Sequence, residues 1–201
     1  MEKYIIGYIF PQNKILNPGE IAVEKLTHIN YAFADIRNGK IIEGFEHDAK
    51  NFKILNGLKS KNPGLKILIS VGGWTWSGNF SDMTLTKESR QKFIESSIDF
   101  MQKHQLDGID LDWEYPGLPG MGNTHRKKDK KNFTRLLEEF RNSLDTLGKT
   151  NQKHYLLTIA AGAFEDYLNH TEMKKAQLYL DFVNIMTYDF TGAWNPKTGH
   201  H

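Results

Sequence analysis

Cysteine is absent from the sequence, which excludes disulfides and thiolate metal sites and leaves the redox compartment open, since many secreted proteins also lack it. Long hydrophobic runs are missing too. The most apolar stretches, Ile5–Ile6 with Tyr8–Phe10, are far too short to cross a bilayer. The N-terminus, Met1-Glu2-Lys3, has no apolar stretch of signal length followed by a cleavage site, so either the protein stays inside or a leader has been removed. Charge of one sign is not in excess: 26 Lys and Arg stand against 24 Asp and Glu, with the signs interspersed. That balance implies no nucleic-acid partner. The basic run Arg126, Lys127, Lys128, Lys130, Lys131 is interrupted by Asp129 and reads as a solvated loop and helix start rather than a phosphate-binding patch. Linkers, low-complexity tracts and internal repeats are lacking as well, so residues 1–201 read as one domain.

What remains is an ordinary folded composition, 39% hydrophobic and 25% charged, in a chain long enough for a real core. The 12% aromatic content suits a core and a sugar-binding groove equally. Short apolar runs at Tyr4–Phe10, His28–Ala34, Leu65–Val71, Gly108–Trp113, Tyr155–Ala160 and Phe182–Met186 predict strands. They alternate little, as strands buried on both faces do. Between them, apolar residues recur at helical spacing over Asn51–Lys61, Lys87–His104 (with Thr86 as N-cap) and Lys128–Leu147, with shorter candidates at His170–Leu178 and Glu20–Leu26. Strand and helix in alternation give βαβ units and a parallel sheet. Both an open doubly wound sheet and a closed (β/α)8 barrel satisfy that pattern. The Gly-rich dinucleotide fingerprint is absent after the first strand, where Tyr8-Ile9-Phe10-Pro11 stands.

One segment carries chemistry: Asp107-Gly108-Ile109-Asp110-Leu111-Asp112-Trp113-Glu114-Tyr115-Pro116. Side chains alternate along a strand, so Asp110, Asp112 and Glu114 share one face and Ile109, Leu111 and Trp113 the other. The apolar set packs under helices, and the acidic set faces a cavity. Neighbouring acids lie ~6.6 Å apart along the strand and repel by roughly 2.5 kcal/mol at an effective dielectric of about 20. At least one therefore keeps or shares a proton, which is what a general acid requires. The same Asp-x-Asp-x-Glu pattern also offers hard oxygen ligands to a divalent cation, and the residues alone leave that reading open.

These residues resemble glycoside hydrolase family 18, the chitinases. The family signature Asp-x-x-Asp-x-Asp-x-Glu is complete as Asp107, Asp110, Asp112 and Glu114. Ser70-Val71-Gly72-Gly73-Trp74 and Met186-Thr187-Tyr188-Asp189 match two further family motifs, in the same order. The resemblance runs from Tyr4 to the end of the chain. It implies an α/β TIM (β/α)8 barrel, here about six strands of it, with strands seven and eight lacking. It also implies a retaining, substrate-assisted hydrolase of β-1,4-linked N-acetylglucosamine polymers. Glu114 resembles the general acid, Asp112 the residue that holds the acetamido N–H, and Asp110 its proton-sharing partner. Tyr188 resembles the residue that orients the acetamido oxygen. Tyr8 and Ser70 look like supports for the inner carboxylate, and Asp189 like a sugar-distorting residue.

Substrate contact is further expected of Tyr115, Trp74 and Trp194, the two tryptophans as stacking platforms. Gly72 and Gly73 read either as a strand-end turn or as room for the sugar. Phe33 and Met186 line the floor or belong to the core. No metal or cofactor is implied, and the family suggests a secreted monomer whose partner is chitin or its oligosaccharides, with no membrane. The competing functions are a non-catalytic chitin-binding relative, against which Glu114 stands, an endoglycosidase of N-linked glycans, and a metal-dependent barrel enzyme. Six strands alone would leave two open sheet edges, and weak activity is the expectation for such a chain.

Overall fold

A computed structural model describes residues 3–201; Met1 and Glu2, part of the N-terminal stretch read above, lie outside the described residues. Among the described residues seven strands form: β1 (Ile6–Ile9), β2 (His28–Arg37), β3 (Lys40–Ile42), β4 (Lys66–Gly72), β5 (Gly108–Asp112), β6 (Leu156–Gly162) and β7 (Phe182–Met186). Six pair in parallel in the order β1-β2-β4-β5-β6-β7, while β3 pairs antiparallel with β2 alone. Strand order thus follows chain order, as in the wall of a TIM barrel, and the sheet is a curled arc of six parallel strands. The principal helices are α1 (Asp48–Leu58), α4 (Lys87–Lys103) and α5 (Asp129–Asn151), with short α2 (Gly73–Trp76), α3 (Phe80–Met83), α6 (Glu165–Asn169) and α7 (Met173–Ala176).

The alternation of side chains sorts the two faces of the arc. Ile29, Tyr31, Ile67, Ile69, Ile109, Leu111, Leu157 and Ile159 point outward and are fully buried beneath α1, α4 and α5, whose Phe52, Leu55, Phe93, Ile94, Phe133, Leu137 and Phe140 meet them in one core. The inward face is polar: Tyr8, Ser70, Thr158 and Asn184 all reach Asp110. Thr86 caps α4 as the sequence predicts, in a reciprocal box with Ser89.

One hairpin lies outside the elements predicted from sequence, and two local expectations differ. The β2–β3 hairpin arises because Asn38 and Gly39 both take positive φ (53° and 71°), the turn that Asn-Gly favours between antiparallel strands. The span Glu20–Leu26 forms only 3-10 turns at Pro18–Glu20 and Val23–Lys25, because Pro18 opens one turn and both are too short to propagate. The helix expected over His170–Leu178 forms only the short α7 and a 3-10 turn, Gln177–Tyr179, and α6 ends just before that span. Among the described residues no helix is long and apolar enough to cross a membrane.

Candidate active site

The C-terminal ends of β4, β5 and β7 bring the three motifs to one end of the arc. Asp110 lies deepest and is fully buried. Four groups donate to it: Tyr8 Oη (2.8 Å) and Ser70 Oγ (2.6 Å) to Oδ2, Thr158 Oγ1 (2.5 Å) and Asn184 Nδ2 (3.3 Å) to Oδ1. They come from β1, β4, β6 and β7. Burial raises the Asp110 carboxyl above the usual range, and these four hydrogen bonds oppose the rise. Both oxygens are already engaged by donors.

Asp112, two residues along the same face, differs in kind. It is buried, and its Oδ1 has no hydrogen-bond partner. Desolvation, then the charges of Glu114 and Asp110, push its carboxyl well above the usual range. Glu114 lies beyond the end of β5 and is half-buried. Its carboxyl is raised too, by burial and by the charge of Asp189, against a hydrogen bond from Tyr115. All three acids are therefore raised, but the largest cause at each is burial, not the mutual repulsion that the spacing alone suggested.

Tyr188 stands just past β7 and is half exposed. Burial and the negative charges of Asp112, Glu114, Asp189 and Asp110 raise its phenol, which puts it in the electrostatic field of the acidic row. Asp189 is exposed, takes a positive φ of 57°, and lies 3.8 Å from His201 Nδ1. Trp74 is half exposed and meets Tyr115 with ring centres 6.4 Å apart. Tyr115 also packs edge-on to Phe164 at 5.1 Å. Trp194 is exposed on the loop after β7, and Met186 is half-buried at that strand's end.

Gly73 sits against the Phe33 ring. A Cβ there would stand 2.8 Å from Phe33 Cζ, so the Phe33 ring fills the space. Phe33 in turn meets Phe10 at 5.7 Å, and Phe10 meets Phe45 at 5.8 Å. An aromatic wall of Phe10, Phe33, Phe45 and Trp76 thus stands on the β2 side of the groove. The sequence reading missed Phe10 and Phe45 in this wall, and Thr158 and Asn184 below it. The last two had a signal: each is a single polar residue inside an otherwise apolar strand, and a buried polar group needs a partner.

Among the described residues, no three His, Asp or Glu side chains are grouped to hold a metal ion. The arrangement can stabilise a positive charge at Asp112, donate a proton from Glu114, and present a polar hydroxyl at Tyr188.

A family model described as glycosyl hydrolases family 18 matches residues 4–201. Chitinase A1 of Niallia circulans is 40% identical over 248 residues, covering 98% of this chain and 35% of that protein. Among solved structures, chitinase ChiA74 from Bacillus thuringiensis is 36% identical with a TM-score of 0.92, over all of this chain and 42% of that one. A family 18 N-acetylglucosaminidase from Paenibacillus barengoltzii is 44% identical with a TM-score of 0.88, over 99% of this chain and 57% of that one. The chain spans 35%, 39% and 46% of the length of three curated relatives it matches.

Proposed function

This chain belongs to the glycosyl hydrolases family 18, and from that premise we propose that the protein is a chitinase, hydrolysing β-1,4 bonds between N-acetylglucosamine units with retention and through an oxazolinium intermediate. The observation that carries the reading is the contrast along β5: Asp110 is held by four donors, while Asp112 beside it is buried with Oδ1 unpartnered. A buried carboxylate oxygen without a donor is costly. The N–H of a 2-acetamido group supplies the missing donor.

Glu114, its carboxyl raised by burial, protonates the glycosidic oxygen. The acetamido oxygen attacks its own anomeric carbon, and the leaving sugar departs with the proton from Glu114. Asp112 balances the positive charge that develops on the acetamido nitrogen. Tyr188 holds the acetamido oxygen in line. Water then attacks the anomeric carbon and opens the oxazolinium ring as Glu114 takes a proton from that water, so one carboxyl group serves as acid and base in turn. No cofactor is required. Trp74, Tyr115 and Trp194 supply ring faces for the pyranoses, and chitin oligosaccharides are the partner.

The test is Glu114→Gln. Hydrolysis of a chitin oligosaccharide should fall about 10²–10⁴-fold, while binding of the intact oligosaccharide persists. Normal hydrolysis by this variant would refute the assignment. Bonds whose reactive sugar has lost its acetyl group should resist cleavage, and EDTA should leave the wild-type rate unchanged; loss of activity in EDTA would instead favour the metal-dependent alternative.

A further inference from the structure

We propose that Ser77 is a positioning residue that sets the Asp112–Glu114 backbone and, through it, the two carboxyl groups of the reaction; this rests on the hydrolase reading above. The parallel ladder of β5 ends at Asp112, opposite Gly72. Glu114 lies two residues further on, where no neighbouring strand pairs with its amide. A side chain takes the ladder's place. Ser77 Oγ accepts the Glu114 N–H at 2.8 Å and lies 3.1 Å from the Asp112 carbonyl oxygen and 2.9 Å from that of Gly73. A serine hydroxyl has one proton and two lone pairs, so it receives Glu114 and donates to Asp112 or Gly73. The residue is 1% exposed.

The surroundings leave that backbone little freedom. Gly72 adopts φ +107°, and a Cβ there would stand 2.3 Å from the Asp112 carbonyl oxygen. Only glycine lets the two chains approach so closely. On the other side, Asn123 Nδ2 donates to the Glu114 carbonyl at 3.3 Å. Between the two acids, the Trp113 ring stacks on Phe80 at 5.2 Å and meets Phe133 edge-on at 5.7 Å. The Ser-x-Gly-Gly-Trp segment and the acidic segment therefore meet at one hydroxyl. Ser77 touches no reacting atom in this scheme and acts only through the backbone it holds.

Three variants test this in the full chain. Ser77→Ala should lower kcat about 10²-fold, the scale expected for small misplacement of reacting groups, with KM nearly unchanged. Ser77→Thr and Ser77→Val have the same shape, and only threonine keeps the hydroxyl. Threonine should retain far more of the wild-type kcat than valine. Equal loss in both would mean that volume, not the hydrogen bond, matters, and would overturn the proposal, as would a wild-type kcat in Ser77→Ala. NMR gives a readout that needs no turnover: in Ser77→Ala the Glu114 amide should exchange faster and the titrations of the Glu114 and Asp112 carboxyl carbons should move. If the wild-type protein cleaves no chitin oligosaccharide, the hydrolase reading fails while these signals still judge Ser77. If neither exchange nor titration changes, Ser77 does not position the pair.

Discussion

Asn184 donates to the Tyr8 hydroxyl at 3.1 Å, joining the last parallel strand to the first across 176 residues of chain. The contact sits directly over Asp110, which both residues also reach. The two ends of the arc are thus connected through its interior by side chains rather than by a backbone ladder. Below this level Phe182 of β7 meets Tyr4 at 5.6 Å and His28 of β2 at 5.1 Å. The curl of the sheet and the polarity of its inner face are one arrangement, because the buried carboxylate collects donors from strands on both sides.

Tyr8→Phe should therefore weaken the fold as well as the site. It removes one hydrogen bond to a charged group, about 1.5 kcal/mol, and leaves the Asn184 amide with one partner fewer. Chemical denaturation should show that loss, and kcat should fall with it. Unchanged stability would mean that solvent replaces the hydroxyl at Asp110.

Much of this was legible in the chain. Phe182–Met186 is the strand expected, and Lys87–Lys103 begins at the predicted cap because Thr86 and Ser89 supply a local signal. The acidic row could be read because strand alternation is a local rule. What escaped was set by tertiary neighbours. Ser77 lies in a stretch without periodicity, and its partners are 35 and 37 positions away. Phe45 belongs to the site because Asp48 Oδ2 accepts the amides of Gly44 and Phe45, at 2.9 and 3.0 Å. At Gly73 the sequence left a strand-end turn and room for the sugar as alternatives, and the ring packed against it, Phe33, comes from another strand.

Asp107, the first acid of the signature, should prove structural. Lys59 and Lys153 each hold it at 2.7 Å, and it accepts the Ile67 amide at 2.9 Å. Burial alone would raise its carboxyl, but those three partners outweigh burial and hold it below the usual value. A depressed folded-state value contributes stability at neutral pH that is lost as pH falls through and below the ordinary carboxylate range of about 4. Asp107→Asn should cost about 3 kcal/mol at pH 7. The gap to wild type should narrow steadily below pH ~4. A pH-independent gap would place the loss in packing rather than charge.

Trp74→Ala should act on binding. The ring is half exposed and rests against Tyr115, so little core is lost. Its face is available to a pyranose. Removing an exposed aromatic anchor worth about 1.4 kcal/mol corresponds to a roughly tenfold rise in KM or in the Kd of a chitin oligosaccharide. The unfolding midpoint should barely move. A fall in kcat with KM unchanged would show instead that the ring serves the reacting end of the site.

Asp112→Asn should trade activity for stability in a pH-dependent way. The Asp112 carboxyl is raised well above its ordinary value by burial, then by Glu114 and Asp110. Between the ordinary and the raised value the folded protein binds a proton that the unfolded chain does not. Stability from this group is therefore fully present below about pH 4 and lost as pH rises through that window. Above it, folding carries the cost of an ionised, buried carboxylate with an unpartnered oxygen. Asparagine removes the charge and keeps the shape. Near pH 4 the variant and wild type should unfold at similar temperatures, whereas at pH 8 the variant should unfold higher, each ~1 kcal/mol gained being worth about 2–4 °C in a chain of this size. Its kcat on chitin oligosaccharides should fall about 10²–10³-fold, since nothing then balances the charge of the intermediate. A variant less stable than wild type at pH 8 would show that Asp112 is satisfied in the folded protein, and the acetamido partner inferred from its free oxygen would lose its basis.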